Sequence, residues 1–487
     1  MIDFLSCKMF HRFFTSFTIL SITALSLSGC SASDYFFWQK ETPVTIEAPL
    51  ISGEISGGSS DFSHTTQSTD NTAENVTDKS LVESEKKERA NILAKRADYL
   101  ATNNEYREAA GLYERILRLE QSDEIERKLA HISYKAKNFQ RSSDLYKKFV
   151  DDLYLSEKEE FLHALRYTGD GEFSAALGKL NLPENIKQAY EVSWKCEHEF
   201  ISCENAIRAY KHDYAPIRDL KNALKNYESL GNKDPSYKEA LLIGAFYKNQ
   251  DFTTAIRVGE NVLRRKPDYR PILKIVGFSA FMTGQYERAQ GVLGKYKKLE
   301  PKDAEVDFIL GLIHFEKQDY ETSNIYFNKA VLGGYKPKTV VERKLAYNYY
   351  VLDLPKNMFQ VLGYLMLEDD VTEADINNAV YLALVHEEIR NAGEWIKIGK
   401  GKFPNAENLA GLEAWYLRAT GKTSEAQTLV DSLLAKNDND LIALVQGGIL
   451  AHEAGYKEKA KTLLKRAKII DAGGTWEKTI DEYLAKD

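Results

Sequence analysis

A spacing of 34 residues, recurring along most of the chain, constrains its fold more than any other feature. Gly311, Tyr320 and Ser323 follow Gly277, Tyr286 and Ala289 at that offset, within the units "PILKIVGFSAFMTGQYERAQGVLGKYKKLEP" (271–301) and "VDFILGLIHFEKQDYETSNIYFNKAV" (306–331). The same step links Ala392, Ala426 and Ala460, and joins Ala414 to Gly448. Ser323 and Ala392 lie 69 residues apart, two steps plus one, so one register runs through more than two hundred residues. Self-similarity at this period is the mark of a stacked array of small units.

Each unit carries a small residue in two successive helical stretches: Gly277 with Ala289, Gly311 with Ser323, Ala414 with Ala426, and Gly448 with Ala460. Weaker pairs precede them, Ala97 with Ala109, Ala130 with Ser142 and Ala164 with Ala176. An aromatic residue opens the second stretch (Tyr106, Phe139, Phe173, Phe252, Tyr286, Tyr320), and proline ends units at Pro235, Pro267, Pro301 and Pro404. Small residues let two backbones approach, and proline stops a helix because it lacks a donor and clashes with the preceding turn. The pattern resembles the tetratricopeptide repeat over roughly 400 of the 487 residues. That resemblance implies an all-α fold, a right-handed α-solenoid of about 11–12 helix-turn-helix repeats over residues 81–487, closed by a polar capping helix at 475–487. Two places depart from it. Ala176 and Ala255 are 79 residues apart, which puts an insertion or a longer helical pair at 182–216. The unit around Ala346 carries Met358 where a small residue is expected, with Pro355 opening its second helix.

Ahead of the array, Lys8, His11 and Arg12 precede the apolar run "FFTSFTILSITALSL" (13–27), which is shorter than the roughly 20 residues that span a bilayer. "LSGC" at 27–30 follows and resembles the lipobox of bacterial lipoproteins. The resemblance implies a signal peptide at 1–29 and a lipid on Cys30; the alternative is an ordinary cleaved signal with an incidental cysteine. More than one acyl chain is what stable anchoring takes. Residues 30–80, rich in Ser, Thr, Gly, Asp and Glu and without period, read as a disordered tether able to span on the order of 40 Å. Ser31 after the cysteine favours an outer membrane facing the periplasm in a two-membrane cell; a single-membrane cell would carry the protein on the outer face of its plasma membrane.

Only Cys7, Cys30, Cys196 and Cys203 occur, too few for a disulfide scaffold. On one continuous helix Cys196 and Cys203 would stand about 10 Å apart, beyond bridging, so a disulfide needs a turn between them. Two buried free thiols are the alternative.

The excess of 72 acidic over 65 basic residues, a net charge of -7, argues against a nucleic-acid partner. No HExxH, G-x-S-x-G or GxxxxGK pattern is present, and "HEEIR" at His386 lacks a second histidine. "GKGKF" (399–403) reads as a helix stop. No enzyme, metal or cofactor is expected. By resemblance, Phe278, Phe281, Phe315, Tyr347, Tyr350, Tyr381 and Trp415, together with Leu312, Ile449 and His452, face a concave groove. The aromatics give contact area at low entropic cost, unless they serve the packing of the hairpins themselves. The expectation is a lipid-anchored, non-catalytic scaffold or assembly factor for cell-envelope proteins; the alternative is a glycan-binding solenoid of an export or cell-wall system.

Overall fold

The computed structural model describes residues 87–486 except 88–89, 92, 99, 103–105, 170, 199, 232–233 and 472–474. The expected signal peptide, the expected lipidation site Cys30 and the expected tether lie outside the described residues. From Pro235 onward the chain runs as successive helix-turn-helix units. They pair Pro235–Lys248 with Phe252–Arg265, Arg270–Met282 with Tyr286–Leu299, Ala304–Glu316 with Tyr320–Leu332, and Lys338–Val351 with Pro355–Leu365. Glu373–Val385 with Ile389–Lys402, Glu407–Ala419 with Thr423–Lys436, and Leu441–Glu453 with Lys457–Ile470 complete the series. No helix among the described residues is long and apolar enough to cross a membrane.

The turn within each unit is the same device. One residue takes a left-handed backbone, at Gln250, Gly284, Gln318, Asp353, Glu387, Gly421 and Gly455. The next N–H reaches back five residues: Asp251 to the Phe246 carbonyl at 2.9 Å, Gln285 to Ala280 at 2.8 Å, Tyr456 to Ala451 at 2.8 Å. This closes the last free carbonyls of the first helix. Where the next residue is Asp251 or Asp319, its carboxylate accepts the N–H of Thr254 or Thr322 and caps the second helix. The one extra residue of the register falls between Gln318 and Asp353. There helix 338–351 is a residue longer than its counterpart 304–316, and the linker before it stacks the Tyr335 ring on Phe308 at 4.3 Å.

Close approach explains the small residues. A Cβ on Gly277 would stand 2.4 Å from the Leu293 side chain, and one on Gly448 would stand 2.6 Å from Leu464. Opposite them Ala289 and Ala460 are fully buried. Gly277→Val is therefore expected to cost about 1–3 kcal/mol by overpacking. Gly291→Ala, in the second helix of the same unit with nothing within 4 Å, gains up to about 1 kcal/mol from helix propensity. Urea titrations of the two variants would show midpoints moving in opposite directions.

The described helices gather into two compact units, residues 133–361 in one and residues 87–132 with 362–486 in the other. In the second, the capping helix is Glu477–Leu484. It is not wholly polar as expected: Trp476 and Ile480 are 5% and 0% exposed and pack against Leu444, Ile449 and Leu464. The Asp471 carboxylate accepts the N–H groups of Thr475 at 3.0 Å and Trp476 at 2.6 Å, fixing the entry to this helix.

In the first unit, the expected insertion at 182–216 holds helices Glu184–His198 and Phe200–Ala209, and helix Ala215–Ser229 follows them. One helix stops at His198 and the next starts at Phe200, which brings Cys196 and Cys203 to a Cα separation of 4.2 Å, bridged as a disulfide and buried. Helix 184–198 packs on helix 252–265, skipping the helices between them in sequence. In a plain solenoid each repeat touches only its neighbours; here the earlier hairpins fold back. Lys137 Nζ lies 3.3 Å from the Phe281 carbonyl, and the Tyr167 hydroxyl donates to the Gln250 carbonyl at 3.3 Å. Left-handed turns more than 80 residues apart in the sequence thus meet.

Candidate functional site

The seven aromatic positions of the expected groove divide into three kinds. Phe278 and Phe281 are 5% and 3% exposed and belong to the core. The Lys137 ammonium sits 3.7 Å above the Phe281 ring. These two positions are corrected from groove to interior, because the folded-back turn at Lys137 covers Phe281 and Leu273, Ile309 and their neighbours enclose this part of the core. Tyr381 and Trp415 are half-buried but already partnered, with Trp476 of the capping segment at 5.6 Å and 5.2 Å between ring centroids. That leaves Phe315, Tyr347 and Tyr350, all half-buried and all in the unit of residues 133–361.

Three of its rings form a small aromatic face. Phe315 ends helix 304–316, Tyr320 opens the following helix, and Tyr347 comes from helix 338–351 one repeat on. Phe315 meets Tyr320 edge-on at 5.8 Å and Tyr347 at 5.3 Å, and Tyr320 meets Tyr347 at 6.1 Å. Lys344 Nζ stands 4.2 Å above the Phe315 ring. Tyr350 is one turn beyond Tyr347, and burial raises the pKa of its hydroxyl. The backbone beneath this face is held by a buried polar clasp. Asn348 donates to Ser323 Oγ at 3.0 Å and to Asn324 Oδ1 at 2.9 Å, and Ser323 donates to the Gly311 carbonyl at 2.9 Å. A surface of rings with an ammonium at its edge can hold an extended peptide by stacking and can pair with a carboxylate. Tyr320 was legible as the aromatic opening a second helix, but its place in this face was not; Lys344 carried no sequence signal.

A second cluster joins helices 155–168, 184–198 and 252–265. Arg166 pairs with Glu197 and, at 3.0 Å, with Asp251. It also donates to Thr254 Oγ1 at 2.7 Å, whose hydroxyl donates to Glu197 at 2.9 Å. Arg257 reaches the other Glu197 oxygen at 2.7 Å. The side chains of Arg166 and Glu197 are only 4% and 1% exposed. Burial works against the charge of Asp251, but Arg166, with Ser193, Thr254 and His163, outweighs it and holds the carboxyl below its ordinary range. Beside them His163 lies between two phenols, Tyr134 at 3.2 Å from Nδ1 and Tyr190 at 3.0 Å from Nε2. Burial, then the positive charge of Arg166, lowers its pKa to about 4. With every charged group paired across packed helices, the cluster serves as a joint. Sequence reasoning missed it, although Arg166 stands two residues after the small residue Ala164, a position filled by buried Ile132, Ile313 and Leu450 in other units. A charge at an interior repeat position was the available signal.

No three His, Cys, Asp or Glu side chains among the described residues are grouped to hold a metal ion. "GKGKF" ends helix 389–402, where Lys400 pairs with Glu413 at 2.9 Å and Lys402 donates to the Glu368 carbonyl at 3.0 Å. No family model matches the chain, and no curated protein matches it closely. Among solved structures it is similar to yeast Tom70, with 12% identity over 82% of this chain and 96% of that one and a TM-score of 0.29. A tetratricopeptide repeat protein of Parabacteroides merdae shows 15% identity over 52% and 98%, with a TM-score of 0.32. Pseudomonas aeruginosa PilF shows 16% identity over 46% and 100%, also with a TM-score of 0.32. At TM-scores this low the likenesses add nothing to the fold described above. The recurring hairpins, their left-handed turns and the small residues where helices cross make the chain an array of tetratricopeptide-like helix hairpins.

Proposed function

We propose that the chain is a non-catalytic scaffold of the cell envelope, tethered to a membrane by lipid on Cys30, that binds a segment of a partner protein on the Phe315–Tyr347–Tyr350 face. The half-buried rings on adjacent hairpins, with Lys344 at their edge, carry the proposal. The apolar run and "LSGC" at 13–30 support export and anchoring, and the Cys196–Cys203 bridge suits an oxidising compartment. The proposed partner is an envelope protein with an extended, aromatic- or acid-bearing segment, since rings and an ammonium recognise those groups.

The test is a crosslinked capture from native cells, comparing the wild type with Phe315→Ala/Tyr347→Ala/Tyr350→Ala, with partners identified by mass spectrometry. The expected result is a defined envelope protein captured by the wild type and depleted at least about tenfold by the triple variant, the scale of losing a hot-spot contact. Equal capture by both would show the rings to be packing only. In parallel, Cys30→Ser is expected to move the protein from the membrane to the soluble fraction.

A further inference from the structure

Helix 457–470 differs in charge from the chain around it. It carries Lys457, Lys459, Lys461, Lys465, Arg466 and Lys468 against the single acid Glu458, in a protein whose net charge is -7. Its buried side is narrow, Ala460, Leu464 and Ala467, facing the helix before it and the cap. Leu463 and Ile470 at its margin are half-buried, and its other residues are exposed. Arg466 is held by Asp438 and Lys468 by Asp481, both at 2.6 Å. Lys459, Lys461 and Lys465 make no ion pair among the described residues. Between the basic side chains Ile469 stands 59% exposed, and Tyr456, 67% exposed, precedes the helix. Basic groups around exposed apolar ones are what an anionic bilayer surface selects, the ammonium groups meeting lipid phosphates while the apolar side chains enter the headgroup layer.

The position within the unit adds a second observation. Burial raises the pKa of Asp471 at the end of helix 457–470 and the nearby charge of Arg96 opposes that rise, so the start of the described chain and the end of this helix belong to one neighbourhood. We infer that the exposed face of helix 457–470, through Lys459, Lys461, Lys465 and Ile469, is a docking surface for anionic phospholipid headgroups. The inference rests on the anchoring of Cys30 only for its cellular setting, because the tether then brings this face to the bilayer.

The experiment adds the full chain to vesicles of phosphatidylcholine alone and to vesicles containing phosphatidylglycerol, and reads energy transfer from tryptophan to a dansyl lipid. The expected result is an apparent affinity on the order of a hundredfold higher for the anionic vesicles at low salt, given what each lysine contributes near such a surface. High salt removes the difference by screening. Lys459→Glu/Lys461→Glu/Lys465→Glu abolishes the preference with an unchanged thermal midpoint, and the matching glutamine variant weakens it. Equal transfer from both lipids, or a preference that survives the charge reversal, overturns the assignment. A preference retained in Cys30→Ser establishes the surface independently of the anchor, while equal partner capture by the wild type and the Phe315→Ala/Tyr347→Ala/Tyr350→Ala variant, with lipid preference intact, would count against the scaffold reading alone.

Discussion

Glu197→Leu is expected to destabilise the unit of residues 133–361 by about 3–5 kcal/mol, the largest loss foreseen for a single change in this protein. The substitution removes the carboxylate that pairs with Arg166 and Arg257 and accepts from Thr254. Arg166, 4% exposed, is left with Asp251 as its one acidic partner among the described residues, in surroundings too dry to replace the lost partner with water. Breaking one member of a buried pair costs more than removing both, because the survivor's desolvation is no longer compensated. Arg166→Met/Glu197→Leu is accordingly less destabilised than the two single changes combined. Urea unfolding followed by the fluorescence of Trp194, on the same helix as Glu197, gives the coupling as a double-mutant cycle. Additive losses would show that the cluster does not act as a joint.

The second large effect is a dependence on pH. His163 is buried as the neutral ring, with a folded pKa of about 4, while the unfolded chain takes up a proton near 6.5. A group whose folded pKa is depressed contributes its full stability above the unfolded value, so nothing is lost above about pH 6.5. As pH falls from there to about 4 the unfolded state gains the proton first, and the unit loses up to about 3 kcal/mol. Glu160 and Asp251 face the ring as acids and Arg166 as a cation, so the sign rests on burial and Arg166 together outweighing the two carboxylates. Asp251, itself held low, withdraws its own contribution only as pH falls through its folded pKa, below the ordinary aspartate range. His163→Phe is expected to flatten the profile between pH 6.5 and 4 while lowering stability at neutral pH, since the hydrogen bonds shared with Tyr134 and Tyr190 go with the ring nitrogens. A wild-type profile level across that interval would refute the assignment of a buried neutral histidine.

Much of the fold was legible because its determinants are local and repeat. Gly277, Gly311 and Gly448 announce helix crossings, Gln318 to Asp353 absorbs the single slip of register, and the bridge at Cys196 and Cys203 required the turn that the break after His198 supplies. The fold-back was not legible. It depends on Arg166 meeting Glu197, Asp251 and Thr254, groups that no period relates, and it converts Phe281 from an expected groove residue into a covered one. The cap was half legible: Trp476, Ile480, Tyr483 and Leu484 fall at helical spacing, a stripe that competes with the polar character of the segment and also claims Tyr381 and Trp415. The candidate binding face shrinks accordingly from a long stripe to the half-buried rings of Phe315, Tyr347 and Tyr350.

The fold-back also sets an order of events during biosynthesis. A simple hairpin array can consolidate behind its own growing end, each unit docking on the one just made. Here helix 155–168 and the turn at Lys137 must wait for residues that follow much later, because Arg166 bonds to Thr254, 88 positions on, and Lys137 to the Phe281 carbonyl, 144 positions on. At roughly 5–20 residues per second, the ribosome leaves Arg166 without Thr254 for about 4 to 18 seconds. For that interval an arginine destined for the interior stays in water, which keeps the early hairpins soluble until the later ones arrive to receive them.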